Sequence, residues 1–137
     1  YATPKWMLSQ MPQELKDKKT ILVLPFTSDI TQAKRILGKT SIKSVLGFSQ
    51  GGYKAWPASG EYEFVGLIDP TTKEDSLRYH INDKRVHMIY NPSNWGFPEV
   101  VKCQKKAAKI MLGNAILLNI GHSKMPAEFF RRFGNYL

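Results

Sequence analysis

Ser44-Val45-Leu46-Gly47-Phe48-Ser49-Gln50-Gly51-Gly52 is the stretch on which the reading of this chain turns. A short apolar run enters a G-x-S-x-G turn, and Gly52 and the aromatic-containing Tyr53-Lys54-Ala55-Trp56 follow. A serine held where a strand turns sharply into a helix must accept strained backbone angles and keep its hydroxyl clear of the sheet. Side chains two positions before and two after it would collide there, so Gly47 and Gly51 are both expected to need glycine.

On either side of this turn, short apolar runs alternate with helical patterns. Thr20 to Leu24 is a continuous β-favouring run ended by Pro25, and it predicts a first strand buried on both faces. Ser28 or Asp29 can cap a helix whose apolar positions Ile30, Ala33, Ile36 and Leu37 recur at helical spacing, with Gly38 as its stop. Ile42 to Leu46 predicts a second strand, and a short helix from Gly51 should end before Pro57. Phe64 to Ile68 predicts a third strand, stopped by Asp69-Pro70, and Arg85 to Tyr90 a fourth, stopped by Asn91-Pro92. Pro98 to Leu112 reads as a helix. Val100, Cys103, Ala107, Ile110 and Met111 form its apolar face, and Lys102, Lys105, Lys106 and Lys109 its basic one. Ala115 to Ile120 predicts a fifth strand running into Gly121-His122, and Pro126 to Phe133 a last amphipathic piece.

The expected fold is therefore α/β: three layers, with a mostly parallel sheet of about five strands and flanking helices. Residues 1–19 read as an N-terminal extension and 20–137 as a single domain. Trp6, Met7, Leu8 and Met11 suggest that the extension lies on a hydrophobic surface, such as that of a partner. In parallel sheets, function gathers at the carboxyl ends of the strands. Ser49, Asp69 and His122 stand after three different strands, in that order along the chain.

These features resemble the α/β-hydrolase family in a reduced form. Gly47-Phe48-Ser49-Gln50-Gly51-Gly52 is similar to the nucleophile elbow of its small carboxylesterase and acyl-protein-thioesterase branch. Gly121-His122, with Pro126 shortly beyond, is similar to its histidine loop. The resemblance covers roughly residues 20–130 and implies a serine hydrolase of esters, thioesters or amides. In it Ser49 attacks, His122 carries the proton and a carboxylate orients the imidazole. It implies an oxyanion hole from the Gln50 N–H and a second donor at Phe26 or Thr27. The family most often places its acid after the penultimate strand, where this chain has Asn91. Asp69, one strand earlier, is the alternative that some members use, and Asp75 or Asp83 reach in less directly. Trp95, Phe97, Trp56 and Tyr53 either line an acyl pocket or pack the core.

Composition sets the remaining bounds. The 137 residues carry 20 Lys and Arg against 11 Asp and Glu, a net charge of +9, which favours anionic partners. An anionic acyl substrate is a mild preference, and nucleic acid stays open although no RNA-recognition, zinc-finger or helix-turn-helix signature accompanies the lysines. No cofactor or metal is expected: His87 lies within a strand, and neither it nor His80 has a partner at ligand spacing. Cys103 is the only cysteine, which excludes an intrachain disulfide, and within a helical pattern it reads as a small buried hydrophobe. No apolar run approaches a membrane span. The chain begins at Tyr1, so a processed start could hide a targeting segment; localisation stays open, with the cytoplasm slightly favoured. Two other readings compete with an enzyme. One is an inactive hydrolase-like binding or structural module whose sheet a partner chain completes. The other is a flavodoxin-like anion binder with Gly47 to Gly52 at a helix N-terminus.

Overall fold

The computed structural model describes residues 2–38, 41–78, 84–111 and 113–137. Four parallel strands form the sheet among them: β1 (Ser44–Phe48), β2 (Phe64–Ile68), β3 (Val86–Tyr90) and β4 (Ala115–Leu117). Their spatial order repeats their chain order, β1-β2-β3-β4. The register aligns Phe48 with Ile68, Ile68 with Ile89, and Ile89 with Ile116, which brings the ends that carry Ser49, Asp69 and Asn91 to one edge.

Each crossover steps in the same direction across the sheet. With a single crossover hand, the connecting helices must fall on one face. They do: α4 (Gly52–Ala58) and α5 (Pro98–Ile110) pack on the side formed by Val65, Leu67, Val86 and Met88, burying Trp56, Cys103 and Ala107. The opposite face has to be covered by chain from outside the crossovers. Phe64, Ile68 and Ile89 are covered there by α6 (Met125–Phe133) through Met125, Phe129 and Phe130. Two short helices, α1 (Pro4–Ser9) and α2 (Gln13–Lys18), and the turn between them add to this cover through Met7, Leu15 and Met11. The surface that the N-terminal apolar residues cover is thus this chain's own. The result is a three-layer α/β arrangement in which all five residues of β2 are buried.

The sheet has four strands in place of the expected five. Thr20 to Leu24 joins no ladder, and it lines a cavity that β1 also lines. A β-favouring composition is not sufficient for a strand, which also needs a partner within hydrogen-bonding reach. β4 is also shorter than expected, since only Leu118 N–H still donates to Tyr90 O (2.9 Å) beyond it. The helix over Ile30–Leu37 (α3) is capped by the Asp29 carboxylate, which accepts from Thr31 N–H, and closes at Gly38. α4 runs through Pro57 to Ala58, its end closed by Ser59 Oγ donating to Trp56 O at 2.7 Å. The stated end of the long helix, Leu112, and the residues His80 and Asp83 lie outside the described residues. No described helix is long and apolar enough to cross a membrane.

Gly66 shows how closely the layers meet. A Cβ there would lie 2.4 Å from Phe129 Cζ and 2.6 Å from Leu46 Cδ2. Gly66→Ala should therefore destabilise the fold by about 1–3 kcal/mol through overpacking. A urea melt that matches the wild type would remove this account of how α6 sits on the sheet.

Candidate active site

Ser49 follows β1 directly and adopts φ 56°, a left-handed conformation that serine seldom takes. Its carbonyl is held from the next loop: Thr71 N–H donates to Ser49 O at 2.8 Å and Thr71 Oγ1 at 3.3 Å. The steric demand for glycine falls differently from expectation. A Cβ on Gly47 would stand 2.7 Å from both Ala55 Cβ and Gly51 O, and one on Gly52 2.4 Å from Thr71 O, while one on Gly51 would meet nothing within 4 Å. The turn is thus packed against α4 on one side and the Thr71 strap on the other, with Gly51 facing open space.

Asp69, after β2, also has a left-handed backbone (φ 40°) and is completely buried. Its two carboxylate oxygens accept four hydrogen bonds, as many as a carboxylate can comfortably take. Oδ1 receives Asn91 N–H (2.9 Å) and Gln104 Nε2 (3.1 Å); Oδ2 receives Asn94 Nδ2 (2.9 Å) and His122 Nδ1 (2.6 Å). Burial pushes the carboxyl up. The hydrogen bonds from His122, Asn91 and Asn94, with the attraction of His122, outweigh it and leave Asp69 below its ordinary value of 3.8. Because the ionised carboxylate can only accept, the proton of a neutral His122 sits on Nδ1 and leaves Nε2 as a base.

No hydrogen bond joins Asn91 to the imidazole among the described residues. The Asn91 side-chain amide donates to Ile120 O (3.0 Å) and its side-chain oxygen accepts from Ser93 N–H (3.1 Å), so it anchors the loop that carries His122. Asn94 Nδ2 reaches the same Ile120 carbonyl at 3.1 Å. The His122 ring stacks on Phe48 (centroids 4.7 Å apart), Phe48 stacks on Trp6 (5.8 Å), and the edge of Trp95 meets His122 at 4.9 Å. Packing against Phe48 and Trp95, with the hydrogen bond to Asp69, fixes the ring plane.

A cavity of about 960 Å³ opens beside this pair, and Ser49, Gln50, Phe26 and His122 all line it. Gln50 lies in the first helical turn after the strand, where leading N–H groups lack partners within the helix. Phe26 sits in a turn closed by Ser28 N–H donating to Pro25 O. No hydrogen bond joins Ser49 to His122 among the described residues. Trp95 touches His122 without lining the cavity, and Tyr53 is exposed and off it. Phe97 is exposed, and Trp56 belongs to the core, its indole N–H donating to Ser76 O at 2.7 Å. Asp75 is exposed. His87 is a packing residue between Phe64 and Phe133, its pKa lowered by burial. No three His, Cys, Asp or Glu side chains come together as a metal site among the described residues.

Three contributors escaped the sequence reading: Gln104, Asn94 and Phe48. Gln104 carried a signal, because it falls with Val100, Cys103 and Ala107 on the helical stripe that faces the core. A fully buried glutamine there needs polar partners, which Asp69 and Pro70 O (3.0 Å) supply. In comparisons with known proteins, the chain gives no match to a family model, to a curated protein or to a solved structure.

Two outcomes are expected. Gly51→Ala should leave the melting midpoint within about 0.5 kcal/mol of wild type, while Gly47→Ala and Gly52→Ala should each cost about 1–3 kcal/mol. Equal effects at all three glycines would contradict the asymmetric packing of the turn. A depressed Asp69 pKa adds stability that is complete above pH 3.8 and is lost as pH falls through the lower folded-state value. Asp69→Asn should flatten that acid limb in denaturant melts run from pH 6 to 2, and an unchanged limb would show that the carboxylate is not ionised in the fold.

Proposed function

We propose that this chain is a serine hydrolase that cleaves a carboxylic ester, thioester or amide through an acyl-enzyme. The observation that carries the reading is one cavity lined by a serine in a left-handed elbow and by a histidine bound to a buried, four-fold hydrogen-bonded carboxylate. The order of serine, acid and histidine, after β1, β2 and β4 of a parallel sheet, also resembles the α/β-hydrolase family, whose elbow and histidine loop the sequence resembles.

In the first half-reaction His122 Nε2 accepts the Ser49 proton as Oγ bonds to the substrate carbonyl carbon. The developing oxyanion is held by the Gln50 N–H and by an N–H at Phe26. His122 then gives the proton to the leaving alcohol, thiol or amine as its bond to carbon breaks. In the second, water attacks the acyl-serine, loses its proton to His122, and releases the acid as Ser49 is reprotonated. Asp69 holds Nδ1–H throughout and stabilises the imidazolium. The absent Ser49–His122 hydrogen bond is common in ligand-free enzymes, where such contacts tighten around substrate.

The free edge of β1 favours a second reading, a non-catalytic module whose sheet another chain completes. A fluorophosphonate probe separates the two. The hydrolase reading expects stoichiometric labelling of Ser49, none in Ser49→Ala or His122→Ala, and labelling slowed by about 10⁴-fold in Asp69→Asn. A folded wild-type protein that stays unlabelled beside a reactive control esterase would end the hydrolase reading. A stable hetero-complex on size-exclusion chromatography would then support the module.

A further inference from the structure

The cavity beside Ser49 carries more information than a reactive serine requires. The apolar part of its lining comes from four parts of the chain: Met7 and Met11 of the N-terminal segment, Leu22 and Leu24 of the unpaired run, Ala33 of α3, and Leu46 of β1. At about 960 Å³ it lies at the upper end of ordinary ligand sites. Between Lys43, just before β1, and Ser49, just after it, the strand spans about 20 Å, which is the apolar length on offer.

The charges around it are of one sign. Lys18, Lys19, Lys43 and Lys54 are exposed and belong to the lining, and no Asp or Glu does among the described residues. Lys18 is paired with Glu14. Lys19, Lys43 and Lys54 form no ion pair among the described residues, whereas Lys102 and Lys106, on the basic face of α5, are paired with Glu74. Three lysines without an ion pair, and no carboxylate, thus rim this cavity among the described residues.

We infer that the cavity takes an anionic amphiphile: a linear apolar chain that carries a phosphate or carboxylate group, with the chain against Leu24, Ala33 and Leu46 and the anion at the lysine rim. As a statement of substrate class this rests on the hydrolase reading, in which the bond to be cleaved lies at Ser49. As a statement of binding it does not need Ser49 to react. Apolar burial supplies most of the affinity and the lysines select the head group.

The test uses the Ser49→Ala protein, so that binding is read without turnover. Titrations by calorimetry compare monododecyl phosphate with dodecyl maltoside and dodecyltrimethylammonium, all below micelle formation. The phosphate should bind at least about tenfold more tightly than the other two, and less tightly as salt is raised. The double variant Lys43→Glu/Lys54→Glu should weaken it by about tenfold, since each reversal of an exposed charge is worth somewhat under 1 kcal/mol. Lys109→Glu, a reversal on α5 away from the cavity, should change it less than about twofold. Equal binding of the three amphiphiles, or equal loss in all the charge variants, would overturn the inference. Fluorophosphonate labelling of Ser49 without phosphate-amphiphile binding defeats this inference alone. Amphiphile binding by a wild-type protein that never labels defeats the hydrolase reading alone.

Discussion

A carboxylate removed from water is tolerable only where hydrogen bonds replace its hydration, and the upper end of this sheet is organised around that constraint. Asp69 is fully buried and takes two donors on each oxygen. The donors come from the end of β3, from the turn after it, from the middle of α5 and from the loop after β4. An unpaired buried carboxylate would cost several kcal/mol, so these four pieces of chain are held in mutual register by one side chain. The fixed orientation of His122 follows from the same arrangement.

The serine belongs to it as well. Ser49 lies one strand away, yet its carbonyl is bound by Thr71, two residues past Asp69. Two neighbouring left-handed residues, at φ 56° and φ 40°, are thereby tied together. Each backbone costs of order 1–3 kcal/mol to hold in such a region, and that cost is met by the close packing of Gly47 on Ala55 and of Gly52 on Thr71. The strain is thus concentrated at two adjacent strand ends, one lining the cavity at Ser49 and one buried behind it at Asp69.

Much of this was legible in the residues. β2 is a clean apolar run and is buried throughout, and the G-x-S-x-G turn marked the left-handed serine because the backbone demand is local. Thr20 to Leu24 gave the same signal as β2 without becoming a paired strand, since ladder formation depends on what lies alongside. α1 and α2 are six residues each, too short for hydrophobic periodicity to register, although Thr3 followed by Pro4 was an available start signal. The choice between Asp69 and Asn91 is tertiary: both end strands, both precede proline, and only the direction of their side chains separates them. Asn91 does take part, through its backbone N–H and through the Ile120 carbonyl, as a scaffold for the histidine loop.

Because the strands lie side by side in the order in which they occur in the chain, every strand after the first docks onto the one made just before it. Such a sheet can grow in one direction from β1, with short loop closures at each step. His122 is the last of the central residues to emerge, and its contact with Asp69 bridges 53 positions. A nascent chain would therefore shape the serine turn and surround the aspartate before His122 is present, and the three groups would come together only when the final strand locks into place.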